Sequence, residues 1–286
     1  MFRSTTRKIV LFAAAFALAG GGAFTAVTFT SSSVGASAGP PPLDHFTCYQ
    51  TSVIKNSALP GFLAPPGTRF INQFAPNGFV PKVGKPVLHC NPTLKVVPTG
   101  AFPPVNPLSH LLCFKVTGPA PAFTNVHVAN QFSPLDASGA PIPIPMIVGL
   151  PKLVCLPTWK SLSGPPNMPT PQPPNLDHFT CYGVKVAPGA RFVPPTAIQL
   201  QDQFSPGALV GVKVGKPKLL CAPTTKILPT GQVFPTLGPN DLHLLCYAVS
   251  PTPIISPIFD QNQFGQGELA VKKTKLLCLP SVKTVP

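Results

Sequence analysis

Charge is the scarcest commodity in this 286-residue chain. Asp, Glu, Lys and Arg together make up 10% of it, and only seven of those residues are acids. Carboxylates so few and scattered leave no pair placed for general acid and base work. The sequence has no G-x-S-x-G elbow, no H-E-x-x-H and no phosphate-binding loop. Aromatic residues interleaved with cations, as in readers of single strands, are missing too, so no specific nucleic-acid binding is expected. Sustained helical periods are absent, and 42 prolines forbid long helices, because each ring removes a donor and clashes with the turn before it. These absences argue for a binding or structural protein rather than an enzyme. A site assembled between distant segments leaves no local signature, so an extracellular carbohydrate-active or hydrolytic enzyme stays as the alternative.

Apolar residues are plentiful. They form 44% of the chain and include 20 Phe, enough buried surface to offset the entropy of ordering. Short alternating runs such as Val126-His127-Val128 and Val212-Lys213-Val214 are broken by Pro, Gly and Asn. An all-β fold with Pro-rich loops, sandwich- or barrel-like, is expected. The first 38 residues read as a signal peptide. Arg3, Arg7 and Lys8 precede an apolar run from Ile9 to about Val27, and Ala36-Ser37-Ala38 supplies an A-x-A cut site. An uncleaved anchor is the alternative, and the only membrane attachment the sequence offers. Cutting after Ala38 leaves 18 Lys and Arg against 7 acids, a formal +11. That balance favours an anionic partner, such as a polymer or polysaccharide of a cell envelope.

Internal repetition decides the organisation. LDHFTCY occurs at 43–49 and again at 176–182. It opens the first and third of four modules. Each module runs His-x-x-Cys-aromatic, then Asn/Asp-Gln-Phe, then Leu-x-Cys-x-Pro-Thr/Ser-x-Lys. Modules two and four share His-Leu-Leu-Cys, so the order is A-B-A′-B′. The expected division is one β domain over 39–162, a Pro-rich linker over 163–175 and a second β domain over 176–286. Within each domain, two modules of roughly four strands would pack face to face, since one alone buries too little core.

The eight cysteines fall two to a module. In an exported chain such an even, periodic set implies disulfides. Pairing inside each module joins Cys48 to Cys90, Cys113 to Cys155, Cys181 to Cys221 and Cys246 to Cys278. Linking neighbouring modules head to tail would strand Cys48 and Cys278. Two residues before each Cys stands Phe46, Leu88, Leu111, Leu153, Phe179, Leu219, Leu244 or Leu276. Residues i and i+2 share a strand face, so every Cys is expected to face a core. His45, His110, His178 and His243, three before each first Cys, point the other way, which argues against zinc; neither metal nor cofactor is expected. His89 and His127 do not recur and look incidental.

Two recurring polar sets remain for a ligand surface. One is the amide set Gln73, Gln131, Gln203 and Gln263. The other is a lysine set that includes Lys213, Lys216, Lys218, Lys272, Lys273 and Lys275. The amides are also expected to satisfy loop backbone.

The joint pattern D-H-x-x-C-Y-x-x-K, D-Q-F and K-P-x-x-L-C-x-P-x-x-K resembles an uncharacterised family of bacterial secreted proteins of unknown function. The resemblance covers nearly all of 43–286. Leu150 stands where the family has Lys before Pro151, and Thr274 replaces the Pro in module four. It implies export, to the outside or the surface of a bacterium, and no known activity.

Overall fold

The structure is a computed structural model that describes residues 43–55, 57–118, 123–165, 176–238 and 242–284. The expected leader and residues 166–175 of the expected linker lie outside them. The described residues belong to one compact unit, Pro40–Pro286, and their regular structure is all strand. Module one gives β1 (Phe46–Val53), β2 (Gly61–Phe62), β3 (Arg69–Asn72), β4 (Ala75–Phe79), β5 (Lys82–Pro92), β6 (Leu94–Val97) and β7 (Gly100–Phe102). Module two gives β8 (His110–Thr117), β9 (Phe123–Ala129) and β10 (Ile144–Ser161). Module three gives β11 (His178–Val186), β12 (Ile198–Gln201), β13 (Val210–Val212), β14 (Val214–Ile227) and β15 (Val233–Phe234). Module four gives β16 (Leu242–Val249), β17 (Pro253–Asn262) and β18 (Gly265–Thr284).

Two strands from each module close a barrel. The order is β1, β5, β8, β10, β11, β14, β16, β18 and back to β1, every neighbour antiparallel. The two Cys of a module stand directly opposite one another, as Cys48 does Cys90. The disulfides are Cys48–Cys90, Cys113–Cys155, Cys181–Cys221 and Cys246–Cys278. All eight sulfurs point to the axis, between a layer of Phe46, Leu111, Phe179 and Leu244 and a layer of Leu88, Leu153, Leu219 and Leu276. The void left among them is about 10 Å³ and has no polar lining, too little and too apolar for an ordered water. The barrel is plugged, not a pore. Four disulfides place this chain in an oxidising environment.

The outward faces of the same strands are buried too. Tyr182, Leu220, Leu245 and Tyr247 form part of one outer cluster, and Leu112, Phe114, Val154 and Leu156 part of another. Burial on both faces explains why a run such as His-Leu-Leu-Cys-Phe does not alternate. The cover comes from arms that cross the barrel. β3 of module one pairs with β14 of module three, and β12 of module three with β6 of module one. β9 of module two pairs with β18 of module four, and β17 of module four with β10 of module two.

This reciprocity corrects the expected division into 39–162 and 176–286. Modules two and three share seven paired positions between β10 and β11, and modules four and one close the ring through β18 and β1. The modules meet edge to edge rather than face to face, because each buries its apolar strands only when all four complete the cylinder. Strand numbers also depart from four per module.

The repeat motifs now have local causes. In Val-Gly-Lys-Pro-x-Leu-x-Cys, Val83 faces Val116, Pro86 faces Phe114 and Leu88 faces Cys113, so two extra residues enter as bulges. The same double shift occurs at Val148, Pro151 and Leu153, and at Val214, Pro217 and Leu219. A Cβ on Gly84 or Gly149 would meet a neighbouring carbonyl oxygen at 3.4 Å, an ordinary contact, and module four carries Lys272 at the same place. In Asn/Asp-Gln-Phe the first side chain accepts the Phe N–H two residues on, at Asn72, Asn130, Asp202 and Asn262. It also takes a tyrosine hydroxyl from across the barrel: Tyr182 donates to Asn72, Tyr247 to Asn130 and Tyr49 to Asp202.

Module two breaks that last rule, because Phe114 occupies the tyrosine place. The tyrosine hydroxyl also accepts from the amide at Asn130, whose Nδ2 donates to Tyr247, and without it Asn262 Nδ2 is buried with no partner among the described residues. Phe114→Tyr is expected to raise stability by about 1 kcal/mol by pairing that amide. An increased urea midpoint checks it, and an unchanged or lower one counts against it.

Candidate functional site

The two ends of the barrel differ. At the end where the bulges recur, the extra residues are Val87, Lys152, Lys218 and Lys275 in the first tier. Val87 packs on the sulfur and leucine plug, which shows that this position faces the axis. The Lys152 stem passes 3.5 Å from the place a Cβ on Gly183 would occupy. The second tier holds Lys85, Lys216, Lys272 and Lys273, with Lys115 opposite the Gly84-Lys85 bulge. All eight of these lysines are exposed. Of the described carboxylates, Asp44 and Asp177 stand just before β1 and β11, Asp202 and Asp260 belong to a buried polar cluster, Asp136 is in a loop and Glu268 is in β18 four residues before Lys272. The result is a shallow cationic rim over a dry apolar plug.

The structure therefore groups Lys216, Lys218, Lys272, Lys273 and Lys275 as one surface. Lys213 sits just beyond it, its backbone paired with Ser250. The four glutamines are not part of that surface, because they belong to the arm turns at the opposite end. Gln131 accepts from His45 (3.1 Å) and from Lys95. Gln263 sits 2.9 Å from His178 Nε2. Gln203 Nε2 reaches the Pro107 carbonyl at 3.4 Å, and Gln73 is exposed at the β3–β4 turn.

Each glutamine arm ends in a phenylalanine that roofs a lysine from the preceding module. Lys95 lies over Phe102 and Phe132, and Lys226 over Phe234 and Phe264, at 4.5–5.0 Å. Both lysines are fully buried. Desolvation lowers each from the usual 10.5 to about 7. Burial likewise drives His45 down to about 4 and His178 to about 3.

Module two's equivalent, Lys160 over Phe204 at 4.5 Å, differs from the rest. Its Nζ donates to Asn91 Oδ1 at 2.7 Å. His89 Nε2 meets the same oxygen at 2.9 Å, while His89 Nδ1 faces Asp260 Oδ2 at 2.7 Å. Asn91 Nδ2 donates to Asp202 Oδ2 at 3.4 Å, and Tyr49 donates to that oxygen at 2.7 Å. His89, Asn91 and Asp260 are fully buried, so His89 is not incidental. The repeat itself carries the signal that was overlooked. Where His89 stands, the other modules have Val154, Leu220 and Leu277; where Asn91 stands, Leu156, Ala222 and Leu279. Asp260 replaces Phe70, Val128 and Leu200, and Asp202 replaces Asn72, Asn130 and Asn262. Four departures from four sequence places converge on one spot. A cleft of about 150 Å³ beside Tyr49 and Asp202 contains only one carboxylate, Asp202, and that group is already bonded.

No family model, no curated protein and no solved structure matches this chain.

Proposed function

We propose that the protein is a secreted or cell-surface binding protein of a bacterium, and that it holds an anionic envelope polymer or polysaccharide against its lysine rim. The observation that supports this most is the collection of eight exposed lysines on and beside the bulges around one barrel mouth, none of them ion-paired to a described carboxylate. Like charges held close on a rigid frame raise the local potential and favour a polyanion over a single anion. A shallow surface repeated by module suits a repeating ligand, whereas a hydrolytic centre needs a cleft with paired carboxylates. The resemblance to secreted repeat proteins and the N-terminal leader pattern agree with export.

The test is titration with polyphosphate and dextran sulfate, with neutral dextran as control. Binding to the polyanions and not to dextran is expected, weakening as salt screens the rim. Removing Lys152, Lys218 and Lys275 together as glutamines is expected to weaken binding roughly tenfold or more. Binding that ignores both salt and the triple change would overturn the proposal, as would no binding at low salt.

A further inference from the structure

The geometry around Asn91 points to a site of self-modification: we propose that Lys160 and Asn91 join in an intramolecular amide bond, tying β10 to β5 with loss of ammonia. The nucleophile is already at the electrophile. Lys160 Nζ stands 2.7 Å from Asn91 Oδ1, and the carbonyl carbon lies only about 1.2 Å beyond that oxygen. His89 Nε2 points at the same oxygen from 2.9 Å, and Asp260 holds the far side of the ring. That is the position of a donor that polarises the carbonyl and takes up negative charge as a tetrahedral centre forms. On the leaving side, Asp202 Oδ2 lies against Asn91 Nδ2. The Tyr49 hydroxyl fixes that carboxyl group.

The step balances without an oxidant or a cofactor. The Nζ lone pair forms the new bond to Cγ and the Cγ–Nδ2 bond breaks. One hydrogen leaves Nζ for Asp202, and Asp202 delivers one to Nδ2, which departs as ammonia. The Lys160 side chain becomes a neutral secondary amide and Asp202 is regenerated. Burial favours each participant in the form required. Desolvation lowers Lys160 to about 8, which makes the free amine accessible, and desolvation raises Asp202, which favours a carboxyl group able to give a proton. Forming the amide also removes a desolvated cation from the interior.

The repeat provides internal controls. Lys95, Lys226 and Lys283 occupy the same place as Lys160. The residues equivalent to Asn91 in the modules preceding theirs are Leu279, Leu156 and Ala222. None offers an amide at that place; Lys95 does reach the Gln131 amide oxygen, but among the described residues no carboxylate is hydrogen-bonded to that amide, so those lysines are expected to stay unlinked.

Peptide mapping of the whole protein under reducing conditions tests the proposal. The expected product is one branched peptide containing Asn91 and Lys160, lighter than the two parts by one ammonia, in essentially every chain. Peptides with Lys95 and Lys226 should be recovered free. Asp202→Asn restores the residue of the other three modules, so the fold should persist while the branched peptide falls to background. Asn91→Leu should abolish it outright. Recovery of unmodified Asn91 and Lys160 peptides from folded wild-type protein after prolonged incubation overturns the proposal. A link that survives Asp202→Asn overturns the role given to Asp202.

Discussion

Raising the pH from 7 to about 9.5 is expected to make this protein markedly more stable, where most domains have passed their optimum. The cause is the lysines roofed by phenylalanine. Lys95 and Lys226 titrate near 7 in the fold and at 10.5 when exposed. Between those values the unfolded chain holds protons that the folded chain has lost. Stability therefore rises with pH across that window, by as much as about 1.4 kcal/mol per pH unit for each lysine. Lys160, lowered to about 8, adds to the slope unless it has become an amide. Below that range His45 and His178 act in the same sense, because their folded values of about 4 and 3 lie under 6.5. Stability is thus gained between about pH 4 and 6.5 as well. Asp177 and Asp202, raised by burial, oppose this just above their ordinary range. The buried tyrosines Tyr49, Tyr182 and Tyr247 are raised, and they reverse the trend once free tyrosine ionises. Urea midpoints at pH 7, 8, 9 and 9.5 check this. Lys226→Met should remove one lysine's share of the slope while leaving the fold intact. A midpoint that is flat or falling over that range would mean the roofed lysines are charged in the fold.

Part of this design was legible in the sequence, and the reason is periodicity. Four copies of one pattern, with a large apolar residue two before every Cys, define strands whose sulfurs face a core. The plug of Phe46, Leu88 and their equivalents around the disulfides is that inference realised. What local pattern does not carry is cyclic order. Nothing near Cys48 announces that β1 closes on β18, 230 residues away, and the Pro-rich 163–175 stretch suggested a boundary that the β10–β11 pairing ignores. The ligand surface suffered for the same reason. The glutamine and lysine sets recur with one period, yet the strands carry them to opposite ends. The polar cluster at His89 was legible but misread. A residue that fails to recur seemed incidental, although departure from the repeat at His89, Asn91, Asp202 and Asp260 is what marks the spot.

Removing Cys90 and Cys113 together as alanine is expected to leave Cys48 and Cys155 as free thiols and to cost two cross-links, about 4 kcal/mol each by loop entropy. A fold of ordinary stability, roughly 5–15 kcal/mol, should then unfold at or near physiological temperature. This outcome is not obvious, because the ring of sulfurs offers an escape. Cys48 lies 3.7 Å from Cys278, Cys155 3.7 Å from Cys181 and Cys221 3.9 Å from Cys246, sulfur to sulfur. None of these is a hydrogen bond, since a disulfide sulfur carries no hydrogen; they are packing contacts. They also dissolve the argument that head-to-tail pairing strands Cys48 and Cys278, which in the closed barrel are neighbours. All three contacts would become bonds if the variant changed partners, and no thiol would be left over. Register decides against that. Within a module the cysteines are directly opposed, whereas across modules Cys48 faces Leu276 and Cys278 faces Phe46. Such diagonal positions have Cα atoms about 7–8 Å apart, at or beyond the usual reach of a disulfide, about 4.4–6.8 Å. Thiol labelling and non-reducing peptide mapping of the double variant discriminate. Labels on Cys48 and Cys155 with Cys181–Cys221 and Cys246–Cys278 intact are the expected result. A fully oxidised variant linked 48–278, 155–181 and 221–246 would show instead that contact between sulfurs, and not strand register, selects the partners.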